Sequence, residues 1–84
     1  MAAQTPTTLA LIDPSDKGVG YGIYTAVVTS NDTVTLSDFT DLLNIYVINL
    51  ATNAEATATK ATNVVTVTQA ALTTAKILIF AQGA

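Results

Sequence analysis

The chain has 84 residues and a net charge of −3, from three lysines and six acidic side chains, and it lacks His, Cys, Arg and Trp. That length leaves room for one domain. The missing Cys and His exclude disulfides and thiolate or imidazole metal sites, and three scattered lysines exclude the basic stripe that nucleic-acid binding needs. Charged residues make up 11 % of the chain, against roughly 25 % in ordinary soluble domains, so its surface is largely neutral. A domain this small buries only roughly 60–65 % of its unfolded surface. With disulfides and such metals excluded, partners are the remaining source of stability.

Residues 1–8 read as a polar, extended N-terminal arm carrying Pro6, and residues 9–84 as a single β domain. No basic segment precedes the short apolar run Leu9–Ile12, so a signal peptide is not expected. No run of 18 apolar residues is present for a membrane-spanning helix. The chain is therefore expected to be made and used without export or membrane insertion.

β-branched Thr, Val and Ile set the local preference, recurring at period two. A short first strand is predicted over Thr8–Ile12, and Asp13–Gly18 (DPSDKG) is a turn by composition. Tyr21–Ser30 alternates as a strand, with Ile23, Thr25, Val27 and Thr29 on one face and Tyr24, Ala26, Val28 and Ser30 on the other. Ser30-Asn31-Asp32 is expected to be a hairpin turn into a strand over Thr33–Ser37, and Asp38–Asp41 carries Phe39 through a loop. The apolar run Asn44–Leu50 (NIYVINL) predicts a central strand. Ala54–Thr59 alternates, Lys60–Asn63 turns, Val64–Thr68 is a short strand, and Ala75–Ala81 (AKILIFA) closes the sheet. Six or seven short strands at this spacing predict an all-β fold, one small antiparallel β-sandwich or β-barrel with an extended N-terminal arm. An internal echo links TVTLSDFTDLLNIYVIN to VVTVTQAALTTAKILIF, 31 residues later.

The chemical inventory is thin. A Ser or Thr nucleophile has no His to activate it, and a Lys base would need a buried setting that Lys17 and Lys60, in turns, do not offer. Lys76 opens a strand and reads as an edge charge. Asp38 and Asp41 flank a loop and read as solvated turn residues rather than a catalytic carboxylate pair. The DPSDKG run resembles the start of a calcium loop, but Lys17 holds a ligand position and no Glu follows at the required spacing. No catalytic residue, cofactor or metal is expected. Phe80 and Tyr46 are expected in the core, whereas Tyr21, Tyr24 and Phe39 suit either core or interface.

The extended start AAQTPTTL, the segment NDTVTLSDFTDL, the strand TNVVTVT and the closing strand KILIFAQGA together resemble the capsid cement, or decoration, proteins of tailed phages. That resemblance covers most of the chain as a style of composition and strand order. It implies a β-sandwich or small barrel on the exterior of the virion capsid, a homotrimer that clamps adjacent major capsid protein subunits with help from the arm. Candidate subunit or capsid contacts are then Thr5, Pro6, Leu9, Leu11, Tyr21, Tyr24 and Phe39. Removing residues 1–8 is expected to leave the fold intact and weaken attachment. Competing readings are another virion component, an adhesin-like or carbohydrate-binding sandwich, and a self-assembling filament subunit.

Overall fold

Branched Cβ atoms suit the pleated surface of a sheet, and the computed structural model of the chain, which describes residues 2–12, 18–70, 72 and 74–84, uses strands and connecting turns alone. Among the described residues there are nine strands: β1 (Ala3–Gln4), β2 (Thr7–Ile12), β3 (Gly20–Val28), β4 (Thr33–Thr35), β5 (Leu42–Asn49), β6 (Ala54–Glu55), β7 (Ala58–Ala61), β8 (Val64–Val67) and β9 (Ala75–Gly83). They form a four-stranded sheet in the order β1-β4-β8-β7 and a five-stranded sheet in the order β2-β3-β9-β5-β6. Every pairing is antiparallel except β1 with β4. The fold is a small β-sandwich, as the strand spacing predicts. Its strand number exceeds the expected six or seven because β1 and β6 are two-residue pieces that a periodicity cannot register.

Between the sheets lies one core. The four-stranded sheet contributes Val34, Val65 and Val67, and the five-stranded sheet contributes Tyr24, Ala26, Val28, Val47, Ile77 and Ile79. Among the connections that cross between the sheets, the β4–β5 and β8–β9 loops each drop a large side chain inward, Phe39 and Leu72. This is the structural content of the internal echo. The first strands of the two halves pair with each other, as do the second strands. Val34 and Val65, equivalent in the echo, stand directly opposite one another. In the five-stranded sheet the inward positions drift by one residue, where a bulge between Leu42 and Asn44 shifts the β5 register.

Several expectations are revised. Ser30–Asp32 is a turn, with Asn31 at φ 71°, but it is not a hairpin, because β3 and β4 belong to different sheets. Its amides bond elsewhere, Ser30 N–H to the Leu72 carbonyl at 2.9 Å and Asn31 N–H to that of Val67 at 2.7 Å. Residue types specify a chain reversal and leave the next strand's partner open. The strand over Asn44–Leu50 is not central: β9 holds the centre, and β5 is flanked on its outer side only by the short β6. Ala54–Thr59 breaks into β6 and β7, which lie in different sheets, with Ala56 buried at the crossing.

The expected arm is extended but woven into the domain. Ala3 and Gln4 pair with Thr33 and Val34 in one sheet, and Thr7 and Thr8 pair with Thr25 and Tyr24 in the other. Arm and sandwich are therefore not separate units, and removal of residues 1–8 would take β1 from one sheet and the first two residues of β2 from the other. Of the predicted Asp13–Gly18 turn, including the calcium-like DPSDK run, residues 13–17 lie outside the described residues.

Candidate interaction surface

Strand alternation sends every second side chain of β3, β9 and β5 away from the core. The registers align these outward residues in rows across the sheet: Ile12, Tyr21, Gln82 and Asn44; then Ala10, Ile23, Phe80 and Tyr46; then Thr7, Thr25, Leu78, Ile48 and Glu55. Three aromatic rings stand in the open, with Tyr21 54 %, Tyr46 46 % and Phe80 38 % exposed. The Tyr46 and Phe80 rings lie 6.3 Å apart at 40°. Tyr21, Ile23, Tyr46 and Phe80, with the amides of Asn44 and Gln82, line a shallow depression of about 360 Å³.

Charge is nearly absent from this face. Among the described outward residues of β3, β5 and β9, Lys76 alone is charged, and Glu55 stands on the neighbouring β6. The apolar surface continues through Ala10 and Ile12 onto the edge strand β2, whose six residues are all exposed and uncharged. An edge strand presents unpaired backbone groups, which proteins blunt with charge, proline or a bulge. β2 has a register shift between Thr8 and Ala10 and follows Pro6, but carries no charge.

The expected contact residues divide. Thr5, Leu9, Leu11 and Tyr21 are exposed and Pro6 is half-buried. Tyr24 and Phe39 are not available for contact, being 1 % and 2 % exposed. Gly22 has no side chain, so the Tyr24 ring lies back along β3 beneath it. The ring meets Phe39 edge-on with centroids 6.5 Å apart, and its hydroxyl donates to the Asp38 carboxylate at 3.0 Å. Burial, followed by the bond to and the charge of Asp38, raises the Tyr24 phenol well above its ordinary pKa.

Tyr46 and Phe80, expected in the core, lie on the outer face instead. The long apolar runs around them suggest burial on both sides, yet the period-two signal was present. Lys76 and Gln82 share the face of Phe80, and Asn44 shares that of Tyr46, which marks those faces as outward. Lys76 is likewise not an edge charge: it sits on the central strand opposite Val27.

Among the described residues one carboxylate is buried. Asp32, 3 % exposed, accepts the Thr29 N–H at 2.9 Å, the Gln4 side-chain amide at 3.0 Å and the Ala2 N–H at 2.8 Å. These bonds, the Thr29 amide foremost, hold its pKa below the ordinary carboxylate value. No group of three or more metal-ligating side chains occurs among the described residues, Asp32, Asp38 and Asp41 included.

No protein-family model, curated protein or solved structure matches the chain.

Proposed function

We propose that the chain is a non-enzymatic structural component of a tailed-phage virion, a capsid cement protein that docks on the outside of the head and ties neighbouring major capsid subunits together. The observation that carries this reading is the neutral outer face of the five-stranded sheet, with Tyr21, Tyr46 and Phe80 exposed and the uncharged edge β2 beside it. A contiguous apolar surface of this kind is characteristic of a surface that meets another protein. Aromatic residues are the side chains that most often dominate binding energy at such contacts. The resemblance in composition and strand order supplies the partner class, the capsid-exterior location and a trimeric arrangement of the chain around local threefold positions.

Such a role requires no chemistry. A protein that binds the assembled shell, and not its dissociated subunits, stabilises the shell by RT ln(1 + [L]/Kd) at each site. The test is to add purified protein to preformed shells. Co-sedimentation and a raised shell melting temperature are expected, and Tyr46→Ser with Phe80→Ser should abolish both. No co-sedimentation and an unchanged melting temperature would sink the proposal.

A second reading is favoured by one specific feature, the amides of Asn44 and Gln82 beside the Tyr21, Tyr46 and Phe80 rings. Rings to stack on and amides to bond hydroxyls are what a carbohydrate needs, so the same depression suits a sugar. Glycan-array binding that disappears in Tyr46→Ser would favour this reading over capsid docking.

A further inference from the structure

Lys76 is the single charge among the described outward residues of β3, β5 and β9, and it stands near the start of the central strand β9. It belongs to the row that follows Thr25 and Leu78. Val27 lies opposite it on β3, and on its other side the Leu50 N–H bonds the Lys76 carbonyl at 3.0 Å. Val27 is 50 % and Leu50 36 % exposed, so Lys76 stands between two open aliphatic side chains. With Leu9 and Leu78, these residues line a groove of about 770 Å³ that crosses the outside of the sheet from β2 to the end of β5.

The residues flanking Lys76 in register are neutral. Val27 and Leu50 lie across from it, Thr74 and Leu78 stand two residues to either side along the chain, and Thr25 and Ile48 lie diagonally. Glu55 belongs to the Leu78 row and sits two strands away on β6. At about 4.8 Å per strand step, that is roughly 10 Å across the sheet. In the free protein water solvates the ammonium while its aliphatic stem extends the apolar surface. A partner that covers Leu9, Val27 and Leu50 removes that water. An ammonium closed into an apolar contact without a counter-charge is strongly unfavourable.

We propose that the partner seated on this face presents a carboxylate to Lys76, an Asp or Glu set in an otherwise apolar protein surface, and that this pair fixes the docking register. The pairing rests on the capsid-docking reading, in which the partner is a major capsid subunit, and gives that subunit's contact surface a definite chemistry. Apolar attraction is non-directional, so the aromatic rows alone specify the partner's position along the strands weakly. A charge at one end of the face specifies it, because a misplaced partner leaves both charges unpaired.

Parent protein, Lys76→Met, Lys76→Glu and Lys76→Arg are titrated onto preformed shells, with the bound fraction read by co-sedimentation and folding checked by urea unfolding. Lys76 is exposed and methionine retains an apolar stem, so the urea midpoints should be similar. Lys76→Met should dock about 30-fold more weakly or worse, since it leaves the partner's carboxylate unpaired. Lys76→Glu should not dock, because two carboxylates would face each other. Lys76→Arg keeps the charge and should dock more tightly than Lys76→Met. Lys60→Met, on β7 of the other sheet, should dock as the parent does. Parent-like or tighter docking by Lys76→Met would overturn the carboxylate pairing and leave capsid docking in place, as would equal docking by Lys76→Arg and Lys76→Glu. Absence of docking by the parent protein itself would overturn both.

Discussion

Tyr46 and Phe80 face each other across the β5–β9 ladder on the outside of the sheet, while Val47 and Ile79, one residue further along β5 and one residue back along β9, face each other inside it. One ladder therefore has a core side and a contact side, and mutations on the two sides should separate stability from binding.

Ile79→Ala should cost about 2–5 kcal/mol, the usual cost of truncating a fully buried aliphatic side chain. Phe80→Ser should cost less, because Phe80 is partly exposed and an aromatic pair such as Tyr46–Phe80 contributes about 0.5–1.5 kcal/mol beyond its burial. Urea unfolding measures both. Docking to shells should fail in Phe80→Ser although the protein remains folded.

Gly22→Ala adds a single methyl group where there is no space. Its Cβ would stand 2.6 Å from the Tyr24 hydroxyl and 2.7 Å from Tyr24 Cζ. The ring must move, which loosens its contact with Phe39 and its bond to Asp38. A loss of about 1–3 kcal/mol is expected, with a change in tyrosine fluorescence. Adding Tyr24→Leu to Gly22→Ala should recover part of it, since the clash is with the ring.

These residues also show what could be read from the sequence. The β3 faces follow from alternation, because one side of that strand is buried and its period is two. The glycines at 20 and 22 share the inward face of Tyr24, which is a signal for an aromatic ring lying along the strand. Other features depend on distant parts of the chain. Ser30–Asp32 reads as a turn, but which sheet receives β4 is decided by β8, more than thirty residues later. The pairing of Ala3–Gln4 with β4 likewise has no local signature. Of the expected contact residues, Tyr21, Tyr24 and Phe39 all read as suiting either core or interface, and separating the exposed Tyr21 from the buried Tyr24 and Phe39 needed the geometry of Gly22 and of the β4–β5 loop.

Asp32→Asn should change the acid limb of the stability curve. Asp32 has a lowered folded pKa, so its contribution is present above about 3.9, the ordinary unfolded value, and is lost as pH falls through the lower folded value. Removing the charge should make the melting temperature less sensitive to pH in that window. Melting curves between pH 2 and pH 6 read this directly, and an unaltered acid limb would show that the carboxylate bonds are energetically silent.

Ile12→Lys places a charge on the most exposed large apolar side chain of the edge strand β2. Stability should stay within about 0.5 kcal/mol of the parent chain. Self-association at high concentration should fall, because a lysine on an edge disfavours strand-to-strand pairing. Light scattering against concentration measures it.

The position of β9 has a consequence for synthesis. β3 pairs with β9 along its full length, from Gly20 opposite Gly83 to Val28 opposite Ala75. Partners this distant in sequence form slowly, with folding expected on the scale of about milliseconds to seconds. The five-stranded sheet has no centre until residue 83 has been polymerised. Completion of this sheet therefore waits for β9 to be synthesised, although β2 and β3, adjacent in sequence, can pair before it.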